Sequence, residues 1–171
     1  MKIGIDASRA FIDERTGTEN YSYKLIKALA KLDRENKYTI YVCQLASKGD
    51  VFQGWPGNFR FKVIHWPRFW TQAGLALECL INPPDVLLIP AHTMPVIRRW
   101  GQKIVVTIHD LGSEFLPEYH QFPQKIYLNF STVYAVKNAT KIIAVSKSTK
   151  KDLIKKLGGD PNKIVVVHEG P

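Results

Sequence analysis

The stretch VVTIHDL at residues 105–111 is an apolar, β-branched run that stops abruptly at a histidine and an aspartate. Such a run suits a strand buried on both faces of a parallel sheet. The pattern recurs at residues 142–145 ahead of Ser146-Lys147-Ser148, and at residues 3–6 ahead of a glycine-containing loop. In an open α/β sheet, ligands collect beyond the carboxyl ends of the strands. Three apolar strands with polar C-terminal edges therefore predict a site as well as a core.

The rest of the chain alternates in the same way. Strand patterns fall at residues 2–7, 38–43, 60–65, 86–89, 103–108, 141–145 and 164–168. Helical patterns fall at 20–33, 70–81, 122–138 and 147–157. In the first helix Leu25, Leu29 and Leu32 form the expected inward stripe, with Lys24, Lys27 and Lys31 in water. Asn82-Pro83-Pro84 stops the second, since proline cannot continue a helix. Pro123 suits the first turn of the third, whose inward candidates are Ile126, Phe130 and Val133. Gly158-Gly159-Asp160-Pro161 ends the fourth. This order predicts a doubly wound, Rossmann-like α/β sandwich with a mostly parallel sheet of about seven strands. No repeat, low-complexity segment or internal boundary interrupts it. Gly170-Pro171 reads as the start of a linker, so a further domain is expected beyond it.

The 171 residues are enough to bury a substantial core, and 45% hydrophobic with 23% charged residues is ordinary for a globular chain. No apolar run reaches the length of a bilayer span. Met1-Lys2 leads directly into a strand with no signal-peptide core, which predicts a cytoplasmic protein. Cys43 and Cys79 sit in a strand and a helix pattern, as isolated thiols do. The unusual bulk property is a formal charge of +9. It favours anionic partners such as phosphate-bearing substrates or acidic lipid head groups, and does not choose among them.

Each loop has a structural reading and a functional one. Gly17, in Arg15-Thr16-Gly17-Thr18-Glu19-Asn20, lets backbone approach a ligand where free helix N–H groups favour a phosphate or carboxylate. It equally fits a plain turn in which Thr18 caps the helix and Glu19 complements its first turn. An inward Glu19 would repel phosphate and suit a hydroxyl-bearing ligand. The loop is neither GxGxxG nor a Walker A loop. His109 either satisfies backbone carbonyls or binds a substrate hydroxyl or phosphate near a reaction centre, with Asp110 beside it. His65, His92, His120 and His168 share no metal-ligand spacing, so no metal is expected. Ser146 is an N-cap candidate at a helix start that also carries Lys147. Lys147, Lys151 and Lys155 form a basic stripe, either simply solvated or able to meet an anionic membrane. Trp66-Pro67-Arg68-Phe69-Trp70 suits either the rim of a sugar or lipid site or the core.

In order and spacing these segments resemble the N-terminal half of a GT-B retaining glycosyltransferase of family 4, the "glycosyl transferase group 1" type. They are KIGIDASR, RTGTENYSYKLIKAL, PPDVLLIPAHTMP, VVTIHDLGSEFLPEYH, AVSKSTKKDLIKKLG and VVVHEGP. The resemblance implies that residues 1–171 are one Rossmann-like, acceptor-side domain. A C-terminal domain outside this chain would hold most of a nucleotide-sugar donor. Gly17, Thr18, Glu19 and Asn20 would lie beside donor phosphates or acceptor, and His109 near the anomeric carbon of the transferred sugar. Asp110, Ser146 and Lys147 complete the implied substrate-binding set. Thr18-Glu19 replaces the second glycine of the commoner family loop. The implied reaction moves a hexose from a nucleoside diphosphate sugar to an acceptor hydroxyl with retained configuration, without metal or other cofactor. The acceptor is expected to be a glycan, a lipid-linked sugar or a small molecule, and nucleic acid is not expected. Half a cleft should not turn over alone.

Two other readings compete. A non-catalytic basic module on anionic membrane, peripheral at the inner face, follows from the charge and the lysine stripes. A dinucleotide-dependent dehydrogenase is disfavoured by the missing GxGxxG.

Overall fold

The computed structural model describes residues 1–12, 14–43, 53–66, 68–111 and 124–170, and side chains only from residue 129 onward in the helix that begins at Gln124. The strands are β1 (Lys2–Asp6), β2 (Lys37–Val42), β3 (Phe59–Val63), β4 (Val86–Ile89), β5 (Lys103–Ile108), β6 (Lys141–Ala144) and β7 (Ile164–Val166). The helices are α1 (Gly17–Leu32), α2 (Ala76–Ile81), α3 (Gln124–Asn138) and α4 (Lys147–Leu157), and a π-helical turn at Thr71–Leu75 leads into α2. Every strand pairing described is parallel. The α/β, Rossmann-like class with about seven parallel strands and flanking helices is therefore the fold.

Two compact units divide the chain, Met1–Pro90 with Pro95–Lys103, and Ala91–Met94 with Ile104–Pro171. No shift in composition marks this division. In the first unit the strand order is β3-β2-β1-β4. Its core gathers Ile5, Phe11, Ile26, Ile40, Val42 and Phe59, with Trp55 and Phe61 packed against it. Each fully buried isoleucine or phenylalanine of such a set contributes about 1.5–3 kcal/mol. The face α1 buries is Glu19, Ser22, Ile26 and Ala30, whereas Leu32 is exposed. Leu29 packs against the core as expected and Leu25 is partly buried, but Leu32 is not inward: Ile26 takes the centre of the buried face, and a carboxylate takes its first position. Lys24, Lys27 and Lys31 are exposed as expected.

In the second unit the order is β5-β6-β7. Ile104, Val106, Thr107 and Ile108 of β5 are all buried, which explains the unbroken apolar run. α4 packs on β6 and β7 through Leu153, and ends at Gly158, whose φ of 64° is the left-handed cap a glycine supplies without strain. On α3 the buried residues are Ser131, Thr132, Ala135 and Val136. Phe130 lies on the solvent side, where it stacks on Tyr134, so its expected inward role does not hold. Phe122, Pro123, the side chain of Ile126, His120 and most of the segment LGSEFLPEYH lie outside the described residues.

Candidate functional site

In the first unit the chain leaves β1 at Asp6 and re-enters regular structure at Gly17. Thr16 is the N-cap of α1 and pairs with Glu19 in a capping box. One Glu19 oxygen accepts the Thr16 backbone N–H at 2.9 Å and also meets the Thr16 hydroxyl. The other oxygen takes the Arg9 guanidinium at 2.7 Å. Glu19 is only 2% exposed, so the protein itself occupies both oxygens. The cap is therefore Thr16, not Thr18, whose carbonyl instead accepts the Ser22 hydroxyl at 2.8 Å. Glu19 fastens the loop to the start of the helix, and Asn20 braces it by donating to the Arg15 carbonyl at 3.3 Å.

Gly17 is exposed, and a Cβ built on it meets nothing within 4 Å. Packing inside the protein does not require glycine there. The open space over the first N–H groups of α1 is room for a ligand. Buried Asp6, at the end of β1, accepts the Ser8 N–H at 3.0 Å, and burial pushes its carboxyl above the usual range.

In the second unit His109 is the first residue past β5. Its Nδ1 lies 2.7 Å from a Glu169 oxygen, with the imidazole mostly enclosed and the carboxylate half exposed. The Thr149 hydroxyl donates to the His109 carbonyl at 3.0 Å, and the Thr149 N–H donates to Ser146 Oγ at 3.0 Å. Ser146 is thus the N-cap of α4, and through Thr149 that cap is tied to the histidine's backbone. Lys147 and Asp110 are exposed beside it. The His92 ring stands edge-on to His109 with centroids 5.8 Å apart. Among the described residues its Nδ1 is shut off from solvent with no hydrogen-bond partner. Burial and the neighbouring His109 push the His92 pKa down to about 4, partly opposed by Asp110.

This arrangement fixes a tautomer. A carboxylate on Nδ1 favours the proton there, leaving Nε2 to accept from a ligand hydroxyl. Sequence reasoning placed His109 at a strand end and the cap at Ser146, where the structure has both, but did not single out Glu169, His92 or Arg9. The only signal for Glu169 was its place just past a strand, in HEGP.

The other expectations divide. Cys79 is buried and its thiol is pushed up to about 12, and the Cys43 thiol donates to the Ser8 carbonyl at 3.0 Å. Of the aromatic cluster, Trp66 and Phe69 are exposed, while the Trp70 indole donates to the Ile64 carbonyl at 3.1 Å; Pro67 lies outside the described residues. No helix among the described residues is long and apolar enough to cross a membrane.

Comparison with curated proteins finds no match. Among solved structures the chain is similar to HepE of Anabaena, crystallised with UDP, at 15% identity and a TM-score of 0.60, covering 99% of this chain and 44% of that one. It is also similar to WaaG, a glycosyltransferase of lipopolysaccharide biosynthesis, at 13% identity and a TM-score of 0.65, covering 96% and 44%. The wall teichoic acid polymerase TagF matches at 9% identity and a TM-score of 0.58, covering 98% and 38%. The chain thus spans less than half the length of each, and at these identities the likeness shows the GT-B half-fold alone. The family model for Glycosyltransferase Family 4 matches residues 15–170, nearly the whole chain, and the chain belongs to that family.

Proposed function

We propose that this chain is the N-terminal, acceptor-side half of a retaining glycosyltransferase that uses a nucleoside diphosphate sugar. The observation that carries the reading is the His109–Glu169 pair at the carboxyl end of a buried parallel strand. The bond from the anomeric carbon to the diphosphate breaks, and a bond to the acceptor oxygen forms on the same face. The acceptor proton leaves with the departing phosphate oxygen. His109, oriented by Glu169, holds the transferred sugar near its anomeric carbon through Nε2. The N–H groups above Gly17, braced by the Glu19–Arg9 pair, approach donor phosphate or acceptor, with Thr18 and Asn20 at the same loop. Asp110, Ser146 and Lys147 flank the histidine, Lys147 supplying positive charge for developing negative charge. The reaction runs without metal, so excess chelator leaves the rate unchanged. A C-terminal domain completes the donor site, and the isolated 171 residues do not turn over. The test is the full-length protein against a panel of nucleotide sugars, with hydrolysis and transfer followed together. HepE and an α-glucosyltransferase of the same fold were crystallised with UDP, which supports uridine donors as the first choice. No turnover of any donor refutes the reading.

A second reading, cytoplasmic and peripheral contact with an anionic membrane, is favoured by one segment. Val96, Ile97 and the fully exposed Trp100 flank Arg98 and Arg99. The Val96 N–H bonds Gln72 at 2.9 Å, three residues beyond exposed Phe69. Soluble surfaces seldom gather so many large apolar side chains, and arginines suit acidic head groups. Co-sedimentation with phosphatidylglycerol vesicles, lost in Ile97→Ser/Trp100→Ser, is expected. Equal binding to neutral vesicles refutes it.

A further inference from the structure

A cleft of about 450 Å³ runs along α1 on the first unit. Among the described residues four cations line it, Arg15, Lys27, Lys31 and Arg34, with Tyr23 and Trp55 as aromatic walls and no carboxylate. Lys27 and Lys31 are four apart on α1, so they stand on one helix face ~6 Å apart along the axis. Arg34 follows just past the extended cap at Asp33 and lines the same cleft. None of the four belongs to an ion pair among the described residues.

Two of these cations are pre-positioned. The Arg15 guanidinium lies 3.9 Å from the centre of the Tyr23 ring, and the Lys27 ammonium 4.9 Å from the same ring. Arg15 Nε also donates to the Ile12 carbonyl at 3.2 Å, which fixes the plane of the fork. Tyr23 is itself held edge-on to Phe11, and Trp55 packs edge-on to both Phe11 and Phe61. The aromatic walls are thus rooted in the core. Like charges held on one ring repel, and an anion between them relieves that repulsion at little entropic cost.

The cleft is continuous with the proposed substrate loop. Arg15, its first cation, is bonded through its carbonyl by Asn20 of that loop. We infer that the cleft is a binding groove for an extended acidic glycan, the acceptor of the proposed transfer, whose carboxylate or phosphate groups pair with the lysine row while Trp55 meets a sugar face. This rests on the reading of the chain as a glycosyltransferase half and names its acceptor class. A neutral acceptor would leave the four cations unmatched, whereas an acidic chain neutralises them.

The test is calorimetric binding to the full-length protein of an oligogalacturonate, a size-matched neutral malto-oligosaccharide and a short polyphosphate. The acidic sugar is expected to bind at least about tenfold more tightly than the neutral one, with an affinity that falls as salt rises. Lys27→Glu/Lys31→Glu is expected to weaken it at least about tenfold, and Lys27→Arg/Lys31→Arg to retain it. These positions are exposed, and thermal melting of each variant verifies the fold. Equal affinity for the neutral chain, or no loss on charge reversal, overturns the groove. Polyphosphate bound as tightly as the acidic sugar overturns the glycan assignment. Donor turnover by the unaltered protein is scored separately. An inactive protein that still binds the acidic chain refutes the transfer reading alone, and an active one that ignores it refutes this inference alone.

Discussion

Acid should weaken the second unit through one side chain. His92 has a half-buried ring whose Nδ1 finds neither water nor a partner among the described residues, and its pKa falls from 6.5 to about 4. Burial is the larger cause and His109 the second. The sign follows directly. As pH drops through 6.5, unfolded chains take up a proton that the folded His92 refuses until about pH 4. Stability contributed by this residue is complete above that window, declines across it, and stays flat below. At about 1.4 kcal/mol for each tenfold in proton affinity, the loss is capped near 3 kcal/mol. That is a large share of a typical stability of about 5–15 kcal/mol. Urea unfolding at steps from pH 7.5 to 4, for the unaltered protein and for His92→Phe, isolates the effect. Asp6, whose raised pKa works in the opposite direction, is common to both and cancels in the difference. The variant should gain on the parent steadily as pH falls. Parallel stability curves for the two proteins refute the reasoning.

Other outcomes follow from single contacts. Gly17→Ala should leave the melting temperature unchanged or slightly raised, since the added Cβ meets nothing, yet slow sugar transfer by about tenfold or more. Glu19→Gln should lower stability by about 1–2 kcal/mol in urea melts, because it loses the Arg9 pair while keeping an acceptor for the Thr16 N–H. Gly4→Ala should cost about 1–3 kcal/mol, since its Cβ would come 2.7 Å from the Tyr41 ring and 3.0 Å from Pro84; a neutral melt contradicts this.

Much of the fold was legible because β5 is buried along nearly its whole length, and β-branched runs of that kind announce themselves. The bounds expected for β4, β5 and α4 match those observed, each flanked by a proline, glycine or serine signal. What misled was leucine periodicity on α1. The helix begins three residues earlier than expected because Thr16 and Glu19 close a capping box, and its buried face is centred on Ile26. A buried carboxylate is invisible in a hydropathy pattern when its partner, Arg9, lies ten residues away in a loop. The His109–Glu169 pair spans sixty residues, so no local spacing could reveal it. The histidine was legible from its strand end; the group that orients it was not.

Initial rates of transfer at saturating donor, for the full-length protein and for His109→Ala, bear most directly on the claim that this strand end is where sugar is transferred. The account predicts a fall in kcat of about a hundredfold or more with thermal melting preserved, and a smaller fall for Glu169→Gln, which keeps the geometry but weakens the charge. A His109→Ala protein that transfers sugar at the parent rate would place the chemistry elsewhere.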